Sequence, residues 1–268
     1  MGNGPGLVLV PGGMQAAQNF MKLGAALSGS FTVSILNRRG RSLSGPYGKE
    51  HSIQVEVEDL DALLRETGAR NVFGLSVGGL ITLQAALKLP TLERIALYEP
   101  ALVLAGDRRP MAFAPKYEEQ LMRGHLAGAM VAVMKGTGDR GDWLTALPRF
   151  LLIPLMRLAL QAGRKSMKSE DASLESLIRS MHFDLRYVAE MAGMLESFSA
   201  VNAEVLLLGG TKSAAYLTAA LDALSGVLLH ARRIIIPDLG HLAADDMSQP
   251  ERVAKELRPF FTGTSAHS

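Results

Sequence analysis

The chain has 268 residues, 48% of them hydrophobic and 20% charged, with a formal net charge of +2. That supplies core for one large domain with an inserted subdomain. It is too balanced a charge for a disordered chain or a polyanion binder, so no nucleic-acid partner is expected. With no cysteine, disulfides, thiol nucleophiles and thiolate metal sites are excluded.

The opening "MGNGPGLVLVPGG" has neither the basic segment nor the long apolar stretch of a secretory leader, and a cytoplasmic location is the expectation. Its "GNGPG" precedes a strand, whereas phosphate-binding glycine loops follow one, so it reads as a flexible lead-in. Beyond it, short apolar runs alternate with longer segments of helical period, the pattern of a parallel sheet covered on both faces.

The first strand is expected over Leu7 to Val10, followed by the helical "AAQNFMKLGAAL". The second, over Thr32 to Leu36, leads into "NRRGR", where Arg38, Arg39 and Arg41 either brace their own loop or attract a carboxylate or phosphate of a substrate such as a coenzyme. "QVEVEDLDALLRETG" reads as a helix stopped at Thr67 and Gly68. A third strand over Asn71 to Leu75, the helix "GGLITLQAALKL" and a fourth strand over Arg94 to Tyr98 complete the first half. Two more strands are expected over Glu204 to Leu208 and Arg232 to Ile236.

Roughly 100 residues separate the fourth and fifth strands, far more than a crossover needs. The spacing predicts a core domain of residues 1–100 and 201–268, with a helical cap of residues 101–200 inserted after the fourth strand. Nine of the thirteen methionines fall in that cap, a composition suited either to ordinary helix packing or to an adaptable pocket for apolar ligands. Its most apolar stretch, "WLTALPRFLLIPLMRLAL" from Trp143 to Leu160, is broken by Pro148, Arg149, Pro154 and Arg157. It predicts a helix pair packed over a pocket and not a spanning helix, with peripheral attachment to a bilayer as the alternative.

The chemistry is expected at "VFGLSVGGL". Gly74 and Gly78 flank Ser76 in a G-x-S-x-G pattern between a strand and a helix, which projects a serine hydroxyl above the sheet edge; close helix-to-strand packing is the competing reason for such small residues. A serine alcohol needs a base, and His241 in "DLGHLAADD" follows the last strand at the same carboxyl edge, where open α/β sheets gather ligands. His51, His125, His182, His230 and His267 lack this setting and read as solvated or packed. Neither H-E-x-x-H nor a histidine cluster is present, so no metal is expected.

With these motifs in order, the chain resembles the α/β-hydrolase superfamily, in its serine-nucleophile branch with a helical cap. "LVLVPGG" is similar to the first core strand and oxyanion loop, "ILNRRGRSLSG" to the next strand and its turn, and "VFGLSVGG" to the nucleophile elbow. "LYEPAL" resembles the strand before the cap, and "IPDLGHLAADDMSQPERVAKELRPFF" the histidine loop and last helix. The resemblance implies an open, wholly parallel sheet of about six strands flanked by helices, shortened at its start because Leu7 to Val10 already matches the family's third strand.

Two departures matter. Where many members have His-Gly, this chain has Pro11-Gly12-Gly13-Met14; the oxyanion role needs only backbone N–H groups, expected from Val77 and from Gly13 or Met14. The family's usual aspartate after the penultimate strand is missing from "LLLGGTKSAAY", which has Lys212 and Ser213 there. Glu99, ending the strand beside the elbow, resembles the alternative acid position of relatives such as haloalkane dehalogenases. Asp238 would have to turn back sharply to reach His241, Asp245 and Asp246 are expected to cap the last helix, Asp222 reads as solvated, and a dyad without an acid stays open.

The resemblance therefore implies a cofactor-free serine hydrolase acting through Ser76, His241 and Glu99 on an ester or thioester of a largely apolar small molecule. Lactone or C–C hydrolysis and perhydrolysis would use the same residues. The alternative is a non-hydrolytic protein on this fold, a small-molecule binder or a biosynthetic enzyme without an acyl-serine intermediate. The sequence is compatible with a homo-oligomer and has no integral membrane segment.

Overall fold

The computed structural model describes residues 1–139, 141–166 and 169–263. Six strands, β1 (Gly6–Val10), β2 (Thr32–Ile35), β3 (Asn71–Leu75), β4 (Arg94–Tyr98), β5 (Glu204–Gly210) and β6 (Ala231–Ile236), form one sheet in the order β2-β1-β3-β4-β5-β6. Every neighbouring pair is parallel. All six lie where the sequence places them, with ends shifted by at most two residues.

The alternation of side chains along a strand sorts the core into two layers. Leu7, Leu9, Phe73, Leu75, Tyr98 and Leu208 pack beneath α1 (Met21–Leu27) and the last helix, with Phe20 and Phe260. Val8, Val10, Val72, Ile95, Leu97 and Leu207 point the other way, onto α2 (Ile53–Thr67) and α3 (Val77–Lys88). Both faces of the four central strands are covered, which is why β1, β3, β4 and β5 read as continuous apolar runs, whereas the edge strands β2 and β6 are partly exposed. Burying each such side chain contributes roughly 1.5–3 kcal/mol. As expected, α2 stops at Gly68, whose φ of 66° is the left-handed conformation a helix end favours.

From β1 the chain moves to one side to form β2, then returns to the other side of β1 to form β3. The loops leaving β1 and β3 therefore diverge, and a crevice opens at the carboxyl edge between them.

Between β4 and β5 the chain makes α4 (Ala114–Met122), α5 (Leu126–Thr137), the short α6 (Trp143–Ala146), α7 (Arg149–Ser166) and α8 (Leu174–Glu190). They share a small core of their own around Tyr117, Ala132, Ile178 and Leu185. The pair expected between Trp143 and Leu160 is thus one turn and one helix. α7 packs on α5 and not over the crevice, and no helix among the described residues is long and apolar enough to cross a membrane. After β5, α9 (Ala215–Val227) and then α10 (Pro250–Thr262) complete the layers.

Candidate active site

Ser76 ends β3 and opens α3 with φ 54° and ψ −116°, a strained backbone for any residue with a Cβ. Its N–H donates to the Tyr98 carbonyl at 2.9 Å, and its own carbonyl accepts from Ala101, so the strain is held from both sides by the end of β4. The flanking glycines have the role the motif predicts. A Cβ on Gly78 would lie 2.2 Å from the Val10 carbonyl oxygen, and one on Gly74 would lie 2.5 Å from the carbonyl oxygen of Gly78.

The Ser76 Oγ lies 3.0 Å from Nε2 of His241, and Nδ1 of the same ring lies 2.8 Å from Oε2 of Glu99. The other Glu99 oxygen, Oε1, accepts the Gly210 N–H at 2.7 Å. Glu99 is 1% exposed, so its carboxylate spends both oxygens on protein donors. Room for it comes from β5, where a Cβ on Gly209 would stand 3.0 Å from Oε1. At the end of β5, Gly209 thus leaves space for the glutamate that follows β4, and Gly210 supplies the N–H that receives it.

The histidine loop is tied down independently of its ring. The His241 N–H donates to both carboxylate oxygens of Asp139, at 2.9 and 3.0 Å, and the Tyr98 hydroxyl donates to the Gly240 carbonyl at 2.9 Å. Burial raises the pKa of Asp139 above the ordinary aspartate value, opposed by the His241 N–H and ring. Burial likewise pushes Tyr216, on the cavity wall, up to about 12, with Glu99 and Asp139 adding to the effect.

The other carboxylates stand elsewhere. Asp238 is solvent-exposed with φ 59° and faces Lys212. Asp245 and Asp246 do not cap α10, which begins after Gln249; Asp245 accepts from Gln15, Asn19 and the Met247 N–H, and Asp246 from the Lys22 N–H. Asp222 is exposed, beside Arg233. Of the remaining histidines, His51 is packed against Glu56 and Tyr187 and His182 contacts Glu118; His267 lies outside the described residues.

Of the amides expected to face a substrate oxygen, Met14 must be withdrawn, since its N–H donates to Asp184 Oδ2 at 3.1 Å. The N–H of Val77, first residue of α3, has no helical partner, as at any helix start. Gly13 adjoins it: a Cβ there would lie 3.5 Å from the Val77 side chain. Among the described residues, neither amide has a protein acceptor.

The Gly13 amide is aimed from behind. The Gly12 carbonyl accepts from both Arg38 and Arg41, each at 3.3 Å, and in a trans peptide the Gly13 N–H then points the opposite way. Both arginines are buried, bonded to Asp184 of α8 at 2.8 and 2.7 Å, and Arg38 also pairs with Glu56 of α2 at 2.9 Å. Of the two roles open to "NRRGR", bracing the loop is the one seen. Arg39 pairs with Asp59.

A cavity of about 420 Å³ adjoins Ser76 and His241. The segment between β4 and β5 contributes Met111, Phe113, Met130, Met134 and Met181 to its wall, and Met14 lies on the same wall from the loop after β1. Among the described residues, no group of three or more histidine, aspartate or glutamate side chains is placed to hold a metal ion.

Sequence reasoning missed Asp139, Asp184 and Glu56. The latter two carried a signal, a carboxylate on an otherwise apolar helix face: Asp184 among Leu177, Met181, Leu185 and Val188, and Glu56 among Ile53, Val57 and Leu60. Asp139, in a turn rich in glycine, carried none.

A parallel sheet carrying a serine on a strained strand-to-helix turn, within reach of a histidine after the last strand, defines a class of fold that comparison with known proteins bears out. Residues 7–256 match the alpha/beta hydrolase family, and the chain belongs to it. Among solved structures, it is similar to an alpha/beta hydrolase from Sphaerobacter thermophilus, with TM-score 0.76 and 23% identity over 97% of this chain and 93% of that one. A thermophilic esterase from Thermogutta terrifontis has TM-score 0.72 and 19% identity, covering 98% of this chain and 91% of that one. An enol-lactonase from Burkholderia xenovorans has TM-score 0.69 and 20% identity, covering 97% and 92%. No curated protein matches the chain.

Proposed function

We propose that the chain is a serine hydrolase that cleaves an ester or thioester of a largely apolar small molecule. The observation that carries this reading is the continuous relay from Ser76 Oγ through the two ring nitrogens of His241 to Glu99, at 3.0 and 2.8 Å. Glu99 fixes the tautomer with hydrogen on Nδ1, leaving Nε2 to take the hydroxyl proton as Oγ attacks the carbonyl carbon. The negative charge that develops on the carbonyl oxygen is met by the Val77 and Gly13 amides, while the carboxylate stabilises the imidazolium. His241 then returns its proton to the leaving alcohol or thiol. Water, deprotonated by the same nitrogen, attacks the acyl-serine and restores the hydroxyl as the acid departs.

The methionine-rich wall supports an apolar acyl or alcohol part, and the residues inserted between β4 and β5 act in this reading as the cap that selects it. Neighbours named as an esterase and an enol-lactonase are consistent with hydrolysis and differ in the bond cleaved. Turnover of p-nitrophenyl acetate, butyrate and hexanoate by the wild type and by Ser76→Ala tests the reading. The expected trend is a kcat/KM that rises with acyl length, by roughly 0.8 kcal/mol for each buried methylene. Loss in the variant should be on the order of 10³-fold or more. Activity retained within about tenfold would remove Ser76 from the mechanism.

A further inference from the structure

α7 is apolar on both sides. Leu152 is buried, and Ile153, Met156 and Leu160 are partly buried where the helix packs on its neighbours. On the opposite side Leu151, Leu155 and Leu158, one helical stripe, stand in solvent with Phe150 and with Trp143 of α6, at exposures of 45–72%. A helix apolar all round is ordinarily enclosed, and a contiguous exposed apolar face marks a contact surface.

The charge around this face says what meets it. From Trp143 to Gly163, the stretch that carries this face, the charged residues are Arg149 and Arg157 alone, with no acidic residue among them. Both are exposed on α7 itself. We propose that this face of α6 and α7 docks the protein on an anionic lipid bilayer, the helix lying in the interfacial plane with its aromatic and leucine side chains inserted and its cations at the headgroups. A second copy fits less well, because pairing two such faces would bring their exposed Arg149 and Arg157 together with no acidic residue of the face to meet them. Asp142 and Thr145, on either side of Trp143, belong to the wall of the cavity beside Ser76, so docking would hold that cavity against the layer in which apolar esters dissolve.

Binding can be read apart from turnover, so this inference does not stand or fall with the hydrolase reading. The full chain is sedimented with phosphatidylcholine vesicles, with and without phosphatidylglycerol. The expected result is binding only where phosphatidylglycerol is present, weakened at least tenfold between about 0.1 and 1 M salt. The double variant Phe150→Ser, Leu158→Ser, both exposed and outside the cavity, should bind at least tenfold more weakly. Its Tm and its hydrolysis of a soluble butyryl ester should stay close to those of the wild type. Absence of wild-type binding to phosphatidylglycerol vesicles, or unchanged binding by the double variant, would overturn the proposal. So would a wild-type dimer that the double variant converts to a monomer, which would assign the face to a second copy.

Discussion

Glu99 reaches His241 only because β5 ends in Gly209 and Gly210, one leaving space for the carboxylate and the other donating to it. Its backbone φ of 44°, like the 54° of Ser76, shows that the turn after β4 is bent to present the side chain. If the carboxylate fixes the imidazole tautomer, Glu99→Gln should lower kcat by about 10²-fold to 10⁴-fold. Asp238→Asn, on an exposed side chain, should change it little. Because Glu99 is buried, the melting temperature of each variant has to be read beside its rate. A folded and fully active Glu99→Gln enzyme would make the serine and histidine a dyad.

Among elements, the decisive contact is between the loop after β1 and α8, made through Asp184. This carboxylate holds Arg38, Arg41 and the Met14 N–H at once, and those arginines hold the carbonyl that aims the Gly13 amide. Asp184→Asn keeps the size of the side chain but leaves the two guanidinium groups with less counter-charge. A Tm loss is expected, since breaking one side of a buried pair costs about 3–5 kcal/mol. The diagnostic result is kinetic. A misaimed oxyanion donor should lower kcat by at least about tenfold and leave KM nearly unchanged, because the amide matters most in the transition state. A raised KM at constant kcat would instead make Asp184 part of substrate binding. Should that variant fail to fold, Gln15→Leu, which removes the acceptor of the Gly12 N–H, tests the same loop from its other side.

For the molecule as a whole, the buried Glu56 carboxylate is expected to contribute to the loss of stability in acid. Burial alone would raise the pKa of Glu56, but Arg38 and the His51 contact outweigh it and hold the carboxyl far below the ordinary range. The folded state thus binds fewer protons here than the unfolded chain. The stabilisation is complete above the ordinary carboxylate pKa of about 4 and is lost as pH falls below it. Tm measured from pH 7 to pH 3 should therefore fall less steeply for Glu56→Gln than for the wild type, from a lower starting value at pH 7. Parallel curves would place the acid-sensitive group elsewhere.

The sheet was legible at this scale because its central strands are buried runs bounded by turns, and the elbow because its two glycines flank the serine at the spacing of the motif. His241 followed from its place after the last strand. Glu99 was named from its place at the end of the strand beside the elbow together with the family resemblance; nothing in "YEP" foretells the space beside Gly209 or the Gly210 N–H that receives it. The contacts of Asp139 with His241 and of Asp184 with Arg41 join residues 102 and 143 positions apart, and no spacing encodes them. The outer face of α7 was misjudged for another reason: apolar residues on both sides of a helix read as burial, and α7 has a core on one side alone.

The proposed mechanism depends most on an activated Ser76, and a fluorophosphonate probe followed by intact-mass measurement tests that directly. One adduct is expected on the wild type, mapped to Ser76, and none on Ser76→Ala, because a serine without its base reacts too slowly to label. A wild-type protein that stays unmodified, or a Ser76→Ala protein that takes up the probe as readily, would contradict it.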